Sequence, residues 1–182
     1  MSKVAVFFAE GYEEIEALTV VDICRRAGIS IDMVSVTGTK EVTSSHRVSV
    51  MTDKDFSELN FEEYDMLVLP GGMPGTRNLE AHGGLMEKID AFYKAGKYIG
   101  AICAAPSIFG HRGILQGRRA CCYPGFESHL DGAEVTAGPV EISDNVITSR
   151  GMGTAIEFGL AIVSVLCGEE KAGELAKAIV YK

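Results

Sequence analysis

Tyr98-Ile99-Gly100-Ala101-Ile102-Cys103-Ala104-Ala105-Pro106-Ser107 begins as a β-prone apolar run and passes through a cysteine straight into small residues and a proline. Proline is favoured in the first turn of a helix, so this stretch reads as strand, abrupt turn, helix. A side chain at such a turn is tipped out of the sheet while the following backbone N–H groups point towards it, the geometry of a nucleophile elbow. Outward from it, Lys3–Phe8 is a strand followed by a helical pattern to Ala27 that Gly28 stops. Ile29–Val36 is a second strand, and Gly38–Thr52 a hairpin-like excursion. Met66–Leu69 is a strand cut off by Pro70-Gly71-Gly72, and a helix after Gly83 carries Leu85, Ile89 and Phe92. Cys121-Cys122 reads as strand, Val140–Ile142 and Val146–Thr148 as paired strands, Thr154-Ala155-Ile156-Glu157 as a capping box opening a helix to Leu166, and Glu169–Ala178 as a last helix. Strands alternating with helices predict an α/β layer fold with a mainly parallel central sheet, in one domain spanning residues 1–182. In such folds ligands gather beyond the carboxyl ends of the strands, here the loops after Phe8, Leu69 and Ile102.

Composition narrows the function. The chain has 182 residues, 47% hydrophobic and 23% charged, which excludes disordered and coiled-coil classes. Lys and Arg number 17 against 25 acids, a net charge of −8 with no basic cluster, so nucleic acid is not an expected partner. No apolar run approaches the ~20 residues that span a bilayer, and the first residues read as a strand rather than a signal peptide, so a cytoplasmic location without membrane attachment is expected. Five cysteines without a secretory signal are expected to be free thiols, and the absence of paired ligand spacings predicts no metal site. Gly151-Met152-Gly153 follows a strand and opens a helix but lacks the third glycine and the following units of a dinucleotide fold, so no cofactor is expected.

Cys103 therefore stands apart from Cys24, Cys121, Cys122 and Cys167, which read as packing residues. At the elbow its thiol is expected to ionise more easily than free cysteine; the competing reading is a small core residue. The N–H groups of Gly72 and Ala104 are candidates for an oxyanion hole. On the first helix Glu16 and Glu13 share rows with apolar residues, so one or the other is expected to face inward, whereas the row of Glu14 ends at Arg25. A carboxyl buried beside a thiolate is pushed towards its neutral form and can donate a hydrogen bond to sulfur. The four histidines read as surface or loop residues.

Ala9-Glu10-Gly11-Tyr12-Glu13-Glu14-Ile15-Glu16, Leu67-Val68-Leu69-Pro70-Gly71-Gly72, Ala101-Ile102-Cys103-Ala104-Ala105-Pro106 and Thr148-Ser149-Arg150-Gly151, taken in order, resemble the ThiJ/PfpI family, particularly its parkinsonism-associated protein deglycase group and YajL-like bacterial members. The resemblance implies a flavodoxin-like αβα sandwich, a homodimer, a reactive Cys103, a partnering Glu16, and oxyanion donors at Gly72 and Ala104. It also implies carbonyl-stress chemistry on a small carbonyl substrate such as methylglyoxal or a glycated adduct, with redox sensing or chaperoning through cysteine sulfinic acid as the alternative. Where protease-like branches place a histidine after the elbow cysteine this chain has Ala104, which argues against a Cys-His triad. Tyr123-Pro124 stands where the parkinsonism-associated members carry His-Pro, and Tyr123 either donates a hydrogen bond or packs. In a homodimer Arg25 or His46 would be placed to reach the site of the other chain.

Overall fold

The computed structural model describes residues 2–181. In chain order the strands are β1 (Lys3–Phe8), β2 (Ser30–Ser35), β3 (Glu41–Thr43), β4 (Ser49–Met51), β5 (Lys54–Asp55), β6 (Met66–Leu69), β7 (Tyr98–Ile102), β8 (Arg119–Ala120), β9 (Glu134–Val135), β10 (Val140–Ser143) and β11 (Val146–Ser149). The helices are α1 (Glu14–Ala27), α2 (Gly75–Ala81), α3 (Gly83–Lys94), α4 (Pro106–His111), α5 (Ala155–Cys167) and α6 (Glu169–Ala178). Seven strands form one sheet in the order β10-β11-β7-β6-β1-β2-β5, parallel throughout except for the β10–β11 edge pair. The segment after β2 is the expected hairpin, β3 against β4 with Val42 opposite Val50.

The period of two along β1 builds both layers of core. Val4, Val6 and Phe8 pack towards α1 and α5 with Ala17, Val20, Phe158 and Ile162. Ala5 and Phe7 point the other way, towards Leu85, Ile89 and Phe109. Apolar residues on both faces are what a parallel sheet covered by helices on both sides requires.

Three local expectations are corrected. Thr154 does not cap α5: its hydroxyl is 2.7 Å from that of Ser149 and donates to the Gly151 carbonyl at 3.0 Å, so it closes the preceding turn instead. Cys121 and Cys122 lie just past β8 rather than in a strand, because the Cys121 N–H donates to Thr148 Oγ1 at 3.0 Å and leaves the ladder. Helix α2 stands in a stretch to which the sequence reading assigns no element. Among the described residues no helix is long and apolar enough to cross a membrane.

Candidate active site

β7 ends at Ile102, and Cys103 takes a left-handed backbone conformation, φ +66°. For a residue with a side chain this costs on the order of 1–3 kcal/mol and persists only where the surroundings hold it. Both of its backbone groups are tied: the N–H donates to Ser149 O at 3.0 Å, and the carbonyl accepts from the Tyr123 N–H at 2.8 Å. The thiol is thereby aimed out of the sheet end, with the N–H groups of Ala104 and Gly72 hydrogen-bonded to the sulfur. These are the two donors expected from the sequence.

Glu16 reaches the same point from the first turn of α1, where only 1% of its surface is exposed. Its Oε2 accepts from the Gly71 N–H at 2.9 Å, and its carboxyl is hydrogen-bonded to Cys103. Burial pushes this carboxyl up to about 7 against the hydrogen bonds from Cys103, Gly71 and Met152. Burial likewise raises the Cys103 thiol, and a charge on Glu16 raises it further, while the Ala104 and Gly72 N–H groups act in the opposite sense. The lowering expected from the elbow alone is thus opposed by burial. Two negative charges in one dry cleft repel, so the two groups titrate as a coupled pair and resist being ionised together.

Gly71 is a site residue that sequence reasoning passed over. A Cβ there would lie 2.6 Å from Cys103 Cβ and 2.7 Å from Glu16 Oε2, so only glycine lets thiol and carboxyl meet. In sequence it is one half of a glycine pair ending a strand, and its opposition to a glutamate 55 positions away exists only in the fold.

The cleft above the thiol is about 270 Å³ and is lined by Glu13, Glu16, His46, Gly72, Cys103, Tyr123 and Met152. Tyr123 is half exposed at its rim. His46 lines it from the β3–β4 hairpin of the same chain, with Nδ1 3.2 Å from Glu14 and 3.4 Å from Glu13. Within one chain Arg25 and Pro124 do not line it: Arg25 pairs with Asp53 at 3.0 Å, and Pro124 sits on the exposed turn beyond Tyr123. Among the described residues Glu13, Glu14 and His46 form the one grouping whose ligand atoms fall within cation-binding reach, and His46 is largely exposed there. A larger groove of about 620 Å³ between α1, α5 and residues 178–180, with Ile15, Leu18, Ile156 and Val180 in its walls, has no cysteine in its lining.

A mainly parallel sheet between two helical layers, with a strained thiol at the carboxyl end of a central strand, defines a flavodoxin-like α/β protein of the nucleophile-elbow type. Comparison with known proteins is consistent with this class. The chain belongs to the DJ-1/PfpI family, whose model matches residues 2–165. It is 35% identical to Protein DJ-1 homolog B of Arabidopsis thaliana over 99% of this chain but 42% of that one, so it spans less than half the length of the plant relative. It is 33% identical to the glutathione-independent glyoxalase DJR-1.2 of Caenorhabditis elegans, over 93% of this chain and 91% of that protein. The structure of oxidized DJ-1 from Toxoplasma gondii superposes with a TM-score of 0.95 at 37% identity, covering 100% of this chain and 99% of the other.

Proposed function

We propose that the protein is a cysteine-dependent enzyme of carbonyl-stress protection, of glyoxalase or deglycase type, acting on methylglyoxal or its adducts. The observation that carries this reading is the meeting of the Cys103 thiol and the buried Glu16 carboxyl at Gly71, in the wall of a small cleft. A family relative named a glutathione-independent glyoxalase supports it. With the proton on Glu16, the sulfur of Cys103 attacks the aldehyde carbon and forms a C–S bond, while the carbonyl π electrons move to oxygen. The Gly72 and Ala104 N–H groups stabilise that oxyanion, and Glu16 delivers its proton to give a hemithioacetal. Glu16, now a carboxylate, takes the proton from the former aldehyde carbon, and the C–H electron pair forms an enediolate as the neighbouring carbonyl π electrons move to its oxygen. That proton returns to the neighbouring carbon while the hydroxyl proton passes from the first oxygen to the second, leaving a thioester of a 2-hydroxy acid. Water cleaves the thioester, releasing the 2-hydroxycarboxylate and restoring the thiol. For methylglyoxal the balance is one water added and lactate formed, with no net oxidation.

The same reading takes the protein as a homodimer. Ile15, Ile156 and Val180, exposed by 46%, 40% and 92% around the larger groove, supply apolar surface for it. Light scattering over a dilution series tests this, and a monomer at micromolar concentration rejects it. The catalytic reading is tested by lactate production from methylglyoxal. Wild type is expected to form lactate and Cys103→Ala to lose at least ~10³-fold of that rate; equal rates in the two proteins reject the enzyme.

A further inference from the structure

A second cavity, about 190 Å³, opens beside the thiol cleft: Gly72 is in the wall of one, and the next residue, Met73, in the wall of the other. It is built from α2, α4 and the turn of residues 127–129, and its polar groups are Thr76, Arg77, Glu80, Ser107, His111 and His129. Thr76 is 2% exposed, and its hydroxyl has no hydrogen-bond partner among the described residues. A buried hydroxyl left unpaired is a cost to the fold. Arg77 is exposed and makes no ion pair or hydrogen bond among the described residues.

Glu80, His111 and His129 form a chain. His111 Nδ1 lies 2.7 Å from Glu80 Oε1, and His111 Nε2 lies 3.2 Å from His129 Nδ1. A carboxylate only accepts, so His111 donates from Nδ1. With His111 neutral, its Nε2 accepts from His129 Nδ1–H, which leaves His129 Nε2 an acceptor; with His111 charged, the bond reverses and His129 Nε2 becomes a donor. In both states His129 Nε2 has no partner among the described residues. The chain is held by a close approach: a Cβ on Gly110 would lie 2.0 Å from the His129 carbonyl oxygen, so glycine there lets the turn seat against α4 and bring the two rings together. Their centroids are 5.3 Å apart, and Phe126 packs on His129 at 5.7 Å.

The geometry points to a binding site for a short 2-hydroxycarboxylate. Arg77 matches the carboxylate, and a ligand hydroxyl, which both donates and accepts, satisfies His129 in either state of the chain. The small volume and the Phe126 wall suit a ligand of a few carbons. Binding itself stands on these residues alone; its purpose rests on the proposed glyoxalase reading, since a 2-hydroxycarboxylate is the class of product that reaction releases next door.

The test is titration of L-lactate, propionate and inorganic phosphate into the whole protein, read by the imidazole NMR signals of His111 and His129. Lactate is expected to bind with Kd on the order of 1 mM and propionate about tenfold more weakly, one hydrogen bond poorer. Arg77→Gln should weaken lactate about tenfold or more, and His129→Phe, followed by calorimetry, should reduce lactate to the level of propionate. Cys103→Ala should bind lactate as wild type does. Absence of lactate binding, equal binding of propionate, tighter binding of phosphate, or loss of binding in Cys103→Ala each overturns the site. Lactate binding in a protein that makes no lactate from methylglyoxal rejects the enzyme and leaves the site standing.

Discussion

Cys103 and Cys122 lie in adjoining loops at the same end of the sheet, and burial raises both thiols, that of Cys122 to about 12. Their surroundings differ in everything else. Cys122 is 3% exposed in the core around Phe109 and Leu130, and the neighbouring charge of Glu127 raises its thiol further. Cys103 is partly exposed, stands on a left-handed backbone, lies against the Glu16 carboxyl and faces two N–H groups. The difference teaches that burial alone makes an inert thiol. A reactive one needs donors for its charge, a partner for its proton and an open side.

The comparison breaks most visibly under oxidation. With substoichiometric peroxide, Cys103 is expected to oxidise roughly 10³-fold faster than Cys122, since access to solvent and N–H groups facing the sulfur distinguish it where burial does not. Peptide mass spectrometry after brief exposure reads this, and prior modification of Cys122 would sink the assignment. Next comes the buried carboxyl. Glu16 titrates near its ordinary 4.5 in the unfolded chain and at about 7 when folded. Below the lower value it is neutral in both states; between the two, the unfolded chain has released a proton that the folded one keeps. Stability therefore falls as pH rises through this window, by about 3 kcal/mol in all. Glu16→Gln stays neutral, so its stability measured by denaturant is expected to gain on wild type from pH 5 to 8; parallel curves would mean the carboxyl is not buried beside sulfur.

A smaller effect is expected at Gly71. Alanine there must displace Cys103 or Glu16, and a shift of a few tenths of an ångström to 1 Å should lower turnover roughly 30-fold while the fold persists. Smallest is Tyr123→Phe. A ring half exposed at the rim should change turnover by less than about threefold, and a loss of ~10²-fold would make its hydroxyl a general acid.

The sequence carries the frame of this arrangement plainly and its fine contacts poorly. β1, β6 and β7 follow from unbroken apolar runs, and α1 ends where Gly28 takes φ +81°. The elbow and the inward row of Glu16 were legible because strand-to-helix transitions and helical periodicity are local. Helix α2 was not, because Gly75, Thr76 and Leu79 bury one side without a regular apolar stripe. Thr154 reads as a cap until Ser149, brought close by the sheet, claims its hydroxyl. Gly71, His46 and the His111–His129 pair join their partners only through tertiary contacts, which no spacing records.

The hydrogen bond from the Gly71 amide to Glu16 has a spectroscopic corollary. A carboxylate is a stronger acceptor than a carboxylic acid, so this one amide feels the arrival of the buried proton directly. Its proton resonance should move upfield as pH drops through about 7, tracing the titration of Glu16 without any label on the thiol. The backbone thus contains its own indicator of the charge on Glu16.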